Sequence, residues 1–482
     1  MTQKAETVRG ETMSKNLRDF NKFFYPKSVA VVGASVDPKK TGHVMLNNLL
    51  SYGYKGKIYP INPGAEEILG VKSYKSILEI PGEVDLVIFT IPAKGIVDTM
   101  EECGNKGVKA AVVHSAGFAE SGEEGKRLQD RIVEIANKFK VNIIGPNCMG
   151  IMCVETRLPW ARRTTFPEVP GGVAVISQSG GGGGSFVNLA DERGIRFSKI
   201  VTIGNECDVS VLDLLDYFGD DPATNIIFIY LECFRDGHRF LEVAKRVSVK
   251  KPIVIYKIGR TDAGARAAAS HTGSLAGSIQ VYDGAFKQTG IIRAEGIAEA
   301  LDIITIFEKV WFGQGKPAGD RVGIVTGPGG PGVATADACV ESGLSVPMIS
   351  EATKKKLSEA IPQATRSNPM DMGDFGFVAA LKEKDPYGIM TGFMEEDENI
   401  DMVAVMGPGE ANPGGFMESI LNINKSHKKP FIVIWPSAGK EVEECKVTLM
   451  KAGVPLFLTP EGAAKALGAM MRYKKLIKKL EV

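Results

Sequence analysis

The sequence has no excess of either charge, no long apolar run and no cysteine framework, and each absence excludes a class of protein. Lys and Arg number 58 against 57 Asp and Glu, so the net charge is +1 and no overall field draws the chain to nucleic acid or anionic lipid. No stretch reaches the ~20 consecutive apolar residues of a membrane helix, and residues 1–18 lack the apolar core of a secretion signal. We therefore expect a cytoplasmic protein whose partners include neither a membrane nor a nucleic acid.

The 7 cysteines are scattered along the chain and predict neither disulfides nor a metal site. Cys148 and Cys153 come nearest to the spacing of metal ligands, but no second pair follows at a suitable distance. The simplest interpretation is a set of reduced thiols, as in a cytosolic protein. We expect this chain to bind no metal ion.

The length of 482 residues suggests roughly three domains of about 150 residues each. The 55 glycines and 25 prolines follow no fixed period, which is typical of a globular rather than a fibrous protein. Three times, a short apolar run leads through a glycine-rich turn into a helical pattern, beginning near Ser28, Gly171 and Arg321. Because β-branched strands alternating with helices predict parallel sheets, the expected fold class is α/β with three parallel-sheet domains.

Two segments of linker composition divide the chain. One is a polar stretch flanked by proline at 155–170, and the other is the run GQGKPAGD at 313–320. The predicted organisation is a polar tail at 1–22, a first domain at 23–160, a second at 161–312, a linker at 313–320 and a third domain at 321–482. The third domain ends in a predicted helix with a basic end.

Each predicted domain opens with a glycine turn that a ligand can approach closely. The turn GASVDPKKTG (Gly33–Gly42) carries Ser35 where the GxGxxG fingerprint has its second glycine, which disfavours an ordinary dinucleotide turn. Lys39 and Lys40 either contact phosphates or form a solvated helix start. In ISQSGGGGGSF, five glycines cost several times the roughly 0.5–1 kcal/mol of a single one, which favours close contact with an anion or ligand. The turn GPGGPG at 327–332 indicates the same kind of contact, but by itself it is weak evidence.

The stretch RTDAGARAAASHTGSLAGS surrounds His271 with small residues. A histidine without bulky neighbours can protrude from a flexible loop, which favours a nucleophile or phosphate carrier over a hydrogen-bonded loop residue. Glu232 ends a predicted buried strand, at the edge where parallel sheets place ligand sites, and could hydrogen-bond the imidazole. Its alternative interpretation is a surface acid at a strand end. Asp208 is interpreted as a helix-start residue.

Five motifs, taken together, resemble those of one family. They are GASVDPKKTG at 33–42, GPNCMG at 145–150, SQSGG at 177–181, GNECDV at 204–209 and ASHTGSLAG at 269–277. From about Phe23 onward the chain resembles the α-subunit of ADP-forming acyl-CoA synthetases, in the superfamily of succinyl-CoA synthetase. The resemblance implies a Rossmann-like CoA-binding domain, a flavodoxin-like domain with a phosphorylated histidine, and a third, flavodoxin-like ligase domain.

The resemblance also implies roles for individual residues. His271 would carry the phosphoryl group, and Glu232 would steady it. The residues implied in CoA binding are Gly33, Ser35 and Lys39, with Pro92, Ser115 and Asn147 at the thiol end. The residues implied in phosphate binding at two helix N-termini are Ser179, Gly180, Gly181, Gly329 and Gly330.

No segment resembles an ATP-grasp domain, so ATP or ADP and Mg²⁺ are expected on a separate β-subunit of an α₂β₂ heterotetramer. The implied reaction is acyl-CoA + ADP + phosphate ⇌ acid + CoA + ATP, through acyl phosphate and phosphohistidine. The sequence leaves the acid open. The run Gly180–Gly184, where bulkier residues are expected, either enlarges the acyl pocket or loosens the loop.

Two other functions compete with the ligase. A CoA sensor or scaffold without catalysis is disfavoured because both His271 and Glu232 are present. A nicotinamide-dependent dehydrogenase is disfavoured because Asn62 and Pro63, rather than an acid that binds ribose, follow the second strand.

Overall fold

A computed structural model describes residues 18–160, 166–272, 278–327, 329–372, 385–410 and 412–480. Three sheets, each made mainly of parallel strands with helices between them, form the architecture. The predicted α/β fold class is confirmed. Among the described residues, none of the helices combines the length and apolar character needed to cross a bilayer.

The first sheet has the strand order β2-β1-β5-β6-β7, and all its strands are parallel. The strands of this region are β1 (Ser28–Val32), β2 (Lys57–Ile61), a small hairpin of β3 (Glu67–Ile68) and β4 (Val71–Lys72), β5 (Leu86–Phe89), β6 (Ala110–Val113) and β7 (Asn142–Ile144). The helices are α1 (Asn21–Phe24), α2 (Thr41–Ser51), α3 (Ala93–Lys106) and α4 (Glu123–Phe139), with 3₁₀ turns at Ile77–Glu79 and Ala119–Ser121. Every residue of β1, β5 and β6 is buried, because helices cover both faces of a parallel sheet.

The second sheet has the order β13-β12-β11-β9-β10-β8. Its strands are β8 (Gly150–Cys153), β9 (Val173–Ser177), β10 (Phe197–Thr202), β11 (Ile226–Leu231), β12 (Ile253–Lys257) and β13 (Ile292–Ala294). Its helices are α5 (Gly180–Glu192), α6 (Val211–Asp220), α7 (Gly237–Ser248), α8 (Asp262–Thr272), α9 (Ile279–Thr289) and α10 (Ile297–Thr305), which continues as a π-helix over Ile306–Gln314.

Strand β8 is the one place in this sheet where the pairing is antiparallel among the described strands. It pairs with β10, from Gly150 opposite Thr202 to Cys153 opposite Lys199. The predicted boundary at residue 160 places this strand in the first domain, whereas its hydrogen bonds belong to the second sheet. The reason is that the chain turns between β7 and β8 and crosses from one sheet to the other.

The third sheet has the order β15-β14-β16-β17-β18 and is parallel throughout the described strands. Its strands are β14 (Val322–Thr326), β15 (Met370–Asp371), β16 (Met402–Met406), β17 (Phe431–Ile434) and β18 (Leu456–Phe457). Its helices are α11 (Gly329–Glu341), α12 (Glu351–Ala360), α13 (Pro386–Glu396), α14 (Pro413–Ser426), α15 (Lys440–Lys451) and α16 (Pro460–Leu480). The predicted terminal helix is therefore present as α16.

Helix α16 joins the second and third units into one apolar core. The Tyr473 ring packs edge-on against Phe307 and Trp311, with centroids 5.4 and 5.7 Å away, and its hydroxyl donates to the Ser248 carbonyl at 2.9 Å. The predicted linker at 313–320 begins within the π-helix, which extends to Gln314, and Lys474 Nζ donates to its Ala318 carbonyl at 2.9 Å.

The end of the predicted polar tail is part of the packed structure. Residues 1–17 lie outside the described residues, but Phe20 is buried together with Phe23 and Phe24. These positions form one face of a helical turn, a periodicity that the polar composition of the segment hides. Arg18 binds Asp208 at 2.7 Å, so the segment spans the first and second units.

Asp208 does not act at the start of helix α6. Its carboxylate accepts hydrogen bonds from Arg18 and from the Ile143 amide at 2.7 Å. Helix α6 is instead capped by Ser210, whose hydroxyl accepts from the Asp213 amide at 3.2 Å, while the Asp213 side chain accepts from the Ser210 amide.

Candidate active site

A cavity of about 480 Å³ opens between the carboxyl ends of the first and second sheets. Six predicted site residues line it: Ser115, Asn147, Ser179, Gly180, Gly181 and Glu232. The lining residues that were not predicted are Thr41, Thr90, His114, Ala116, Cys148, Met149, Gln178, Gly204 and Asn205. The volume lies within the range of about 300–1,000 Å³ typical of small-molecule sites, and the carboxyl edge of a parallel sheet is their usual position.

The first glycine turn lies beside this cavity and has no room for a side chain at either of its glycines, Gly33 and Gly42. Gly33 has φ +91°, and a Cβ there would lie 2.6 Å from the Ile91 side chain. A Cβ on Gly42 would collide with the Gly33 carbonyl. The chain therefore passes very close to the end of β5, and α2 starts with its N-terminus beside the cavity that Thr41 lines.

The four remaining residues expected to bind CoA do not line the cavity. Gly33 and Ser35 shape the turn, and the Ser35 hydroxyl accepts from the Asp37 amide at 3.1 Å. Lys39 and Pro92 are exposed, two residues from the lining residues Thr41 and Thr90 respectively. A glycine turn of this kind and the helix N-terminus beside it fit a ligand that carries phosphate groups.

Ser115 and Asn147 are brought together by the backbone. The Asn147 amide donates to the Ser115 carbonyl at 3.0 Å, and Asn147 itself has φ +58°. Its side chain donates to Asn205 Oδ1 at 3.4 Å, across the junction of the two sheets. Asn205 in turn donates to Gln129 Oε1 at 3.0 Å. A chain of amide groups thus links the expected thiol end to the second unit.

Helix α5 directs its N-terminus toward the cavity. Ser179 is its N-cap, and the Ser179 hydroxyl accepts from the Gly182 amide at 3.1 Å. Gly180 and Gly181, the first two helical residues, line the cavity. Because the first amides of a helix have no partner within it, and carry the positive end of its dipole, this edge suits an anion.

The five glycines of the run Gly180–Gly184 have different surroundings, and the sequence did not show this difference. A Cβ at Gly182 would lie 2.5 Å from the Tyr230 ring, and one at Gly183 would lie 2.8 Å from Ser177 Cβ. A Cβ at Gly181 or Gly184 would have nothing within 4 Å. Packing thus explains part of the run, while Gly181 leaves open space at the cavity.

Glu232 follows strand β11 and lines the cavity together with a smaller one of about 90 Å³. Its amide donates to Gln178 Oε1 at 2.6 Å. On the other side of the loop, the Phe234 amide donates to the Tyr282 hydroxyl at 3.2 Å. The ammonium group of buried Lys257 lies 4.8 Å from the Tyr282 ring centre, and burial lowers the pKa of that lysine.

The predicted phosphate carrier, His271, is the penultimate residue of helix α8. Its side chain and residues 273–277 lie outside what the structure describes. The backbone is helical up to Thr272 rather than a loop, because the run of alanines before His271 favours a helix. Helix α8 starts five residues after β12, which pairs with β11, so α8 and Glu232 follow neighbouring strands.

Gly329 and Gly330 begin helix α11 in the third unit and do not line the cavity of the first two units. A Cβ on Gly329 would lie 2.6 Å from Asp371 Oδ2, whereas Gly330 has open space. Within the described ranges, no three His, Cys, Asp or Glu side chains converge in a way that could hold a metal ion.

The fold and the cavity are those of an α/β protein with a small-molecule site between two mainly parallel sheets, beside the N-termini of helices α2 and α5. A family model described as a CoA binding domain matches residues 27–154, and one described as a succinyl-CoA ligase like flavodoxin domain matches residues 170–307.

Similar proteins place the chain in one family. It is 42% identical over 465 residues to the α-subunit of acetate–CoA ligase (ADP-forming) II from Pyrococcus furiosus, covering 94% of this chain and 97% of that protein. It is 41% identical to the acetate–CoA ligase (ADP-forming) of Methanocaldococcus jannaschii, covering 93% of this chain and 62% of that protein. A solved structure of a dinucleotide-forming acetyl-coenzyme A synthetase 1 from Ca. Korarchaeum cryptofilum, with phosphate and ADP, matches at TM-score 0.88 and 35% identity, covering 96% and 98% of the two chains.

The chain belongs to the family of ADP-forming acyl-CoA ligase α-subunits. The predicted enzyme class, an acid–thiol ligase, is confirmed, and the comparisons favour it over a non-catalytic CoA sensor or scaffold.

Proposed function

We propose that this chain pairs with an ATP-grasp β-subunit and interconverts acyl-CoA, ADP and phosphate with free acid, CoA and ATP in the cytoplasm. The Pyrococcus relative is named as a subunit, and the chain covers 62% of the Methanocaldococcus relative, which supports a second polypeptide carrying the remaining function. ATP or ADP and Mg²⁺ bind that partner, and two copies of each chain form an α₂β₂ assembly.

The reaction proceeds in two transfers on this chain. A phosphate oxygen attacks the thioester carbonyl carbon, so a C–O bond forms, the C–S bond breaks, and CoA leaves as acyl phosphate is made. An imidazole nitrogen of His271 then attacks the phosphorus atom. The N–P bond forms, the P–O bond to the acyl group breaks, and the acid leaves as a carboxylate. The phosphoryl group finally passes from His271 to ADP on the partner.

The residues of the cavity have separate roles in these steps. Gly33, Ser35 and Lys39 bind the phosphate-bearing part of CoA, and Pro92, Ser115 and Asn147 hold its thiol end. Ser179, Gly180 and Gly181 stabilise the transferring phosphoryl group through the N-terminus of α5, and Gly329 and Gly330 do so at the other helix. The Glu232 carboxylate accepts a hydrogen bond from the far imidazole nitrogen, which fixes the tautomer and stabilises the positive charge.

The observation that carries this proposal is the shared cavity. Ser115 and Asn147 come from the first unit, Ser179 and Glu232 come from the second, and all four line the same space. A CoA thiol end and a transferring phosphoryl group must meet for the chemistry to occur, and this arrangement brings their expected ligands together.

The test is phosphoryl labelling of the complex with its β-subunit, using Mg²⁺ and ATP labelled at the γ-phosphate. Wild type should acquire acid-labile label, and His271→Ala should acquire none. His238→Ala, at an exposed histidine on helix α7, serves as the matched control and should label like wild type. Glu232→Gln should label at least tenfold more slowly, since general-base and orienting groups contribute factors of about 10²–10⁴. Acid-labile label on His271→Ala would contradict the proposal.

A further inference from the structure

Gln178 is a buried residue that the proposed chemistry does not yet use. It follows strand β9, is 7% exposed, and lines both the large and the small cavity. Its backbone amide donates to the Tyr230 carbonyl at 3.2 Å, which is the last main-chain hydrogen bond between β9 and β11 on this side. Beyond this point the Gln178 side chain, rather than its backbone, contacts the segment that follows β11.

The Gln178 amide uses all four of its hydrogen-bonding positions. Its oxygen accepts from the amides of Glu232 at 2.6 Å and Cys233 at 3.0 Å. Its nitrogen donates to the Cys233 carbonyl at 2.8 Å and to Glu206 Oε2 at 2.9 Å. Two donors face the oxygen and two acceptors face the nitrogen, so the orientation of the amide group is fixed.

Glu206 anchors the other end of this arrangement. It is 7% exposed, and its second carboxylate oxygen accepts from the Val211 amide at the start of helix α6 at 2.8 Å. Arg235 donates to the Glu206 carbonyl at 2.8 Å and to the Asn205 carbonyl at 2.7 Å. The loop that carries Glu232 is thus tied through Gln178 to the start of α6.

We propose that Gln178 is a positioning residue that extends the sheet past the end of β11 and so fixes the main chain from which the Glu232 carboxylate reaches the phosphorylated histidine. This inference rests on the proposed role of Glu232. An amide is required at position 178, because it must accept from two main-chain amides and donate to a carbonyl and a carboxylate. A carboxylate of the same shape would place an acceptor against two acceptors.

The test compares Gln178→Leu and Gln178→Glu in the complex with the β-subunit. Gln178→Leu should lower kcat and the rate of histidine labelling by about 10- to 100-fold, the loss that a misplacement of about 1 Å causes. The KM for CoA should change less than threefold. Gln363→Leu, at an exposed position in the third unit, is the matched control and should behave like wild type.

Gln178→Glu provides a readout that a purely structural role would not move. The new carboxylate faces Glu206 and the Cys233 carbonyl, with Glu232 and Arg235 as the other nearby charged groups, and it needs a proton to donate. Activity of Gln178→Glu should therefore recover as the pH falls, and wild type should lack this rise. If Gln178→Leu does not fold, the pH profile of Gln178→Glu by itself tests the proposal.

The proposal is overturned if folded Gln178→Leu keeps kcat within twofold, if its loss lies in KM alone, or if Gln178→Glu has the wild-type pH profile. These outcomes differ from failure of the proposed function. In that case His271→Ala and Glu232→Gln would themselves remain active, whatever the Gln178 variants do.

Discussion

Replacing Gly182 by alanine should disrupt the N-terminus of helix α5, although alanine is the better helix former. The new Cβ would lie 2.5 Å from one atom of the Tyr230 ring and 2.8 Å from two others, about 0.9 Å short of the 3.4 Å at which ordinary contact begins. The ring cannot move freely, because it packs edge-on against Tyr256 with centroids 5.5 Å apart. Overpacking of this kind costs about 1–3 kcal/mol.

The expected result is a lower unfolding temperature together with a lower kcat, since Tyr230 lies two residues before Glu232. Gly181→Ala and Gly184→Ala are the matched controls, because a Cβ at either position has nothing within 4 Å. Each should leave stability unchanged or raise it by up to about 1 kcal/mol, the usual gain from glycine to alanine at a compatible position. Scanning calorimetry of the three variants measures these unfolding temperatures and so tests the prediction. Equal unfolding temperatures for Gly182→Ala and Gly181→Ala would refute the steric argument.

Three further predictions concern the acyl site, a buried ion pair and acid stability. Gly181→Leu should fill cavity space and lower kcat/KM for larger acids more than for acetate; an unchanged ratio across an acid panel, or wild-type activity confined to acetate, would exclude an enlarged acyl pocket. Lys199 lies 2.7 Å from Asp221 and is 1% exposed. Changing Lys199 to Met should lower the free energy of unfolding by about 3–5 kcal/mol, and the double variant Lys199→Met/Asp221→Leu should recover most of this loss. Urea unfolding measures both, and an equal loss in the single and the double variant would contradict the prediction. Burial acts to raise the pKa of Asp85, but hydrogen bonds from Lys22 and a main-chain amide outweigh it, so the pKa is lowered in the folded protein. The ionised Asp85 carboxylate therefore stabilises the fold above the ordinary carboxyl pKa, and this stabilisation is lost as the pH falls through the lowered pKa. Lys22→Met should therefore shift the midpoint of acid unfolding, followed by circular dichroism, to higher pH; an unshifted midpoint would contradict it.

Local pattern was sufficient for the elements and for part of the cavity. Runs such as Ser28–Val32 and Val173–Ser177 are short, β-branched and buried on both faces, and a parallel sheet is the arrangement that satisfies them. Parallel strands also place their carboxyl ends at one edge. For this reason Glu232 could be predicted at a ligand-binding edge from the strand that it follows, whereas Ser115 and Asn147 were predicted only from the resemblance to the family.

Boundaries and packing could not be predicted in the same way, because they depend on contacts between distant segments. Strand β8 belongs to the second sheet because its partner is Phe197–Thr202, a pairing that no local pattern specifies. Phe20 is buried although its segment is polar, and Asp208 binds Arg18 instead of capping a helix. The roles of these residues follow from neighbours that are distant in the sequence; Arg18 and Asp208 are 190 positions apart.

By itself the sequence determined the order of strands, turns and helices, the family to which the motifs point, and the residue types available for phosphoryl transfer. Only the tertiary structure decided which glycines of the run face a ring and which face open space, and that Gln178 holds the main chain of Glu232. The physical reason is that periodicity and propensity act between near neighbours, whereas steric exclusion and hydrogen-bond geometry depend on atoms that folding brings together.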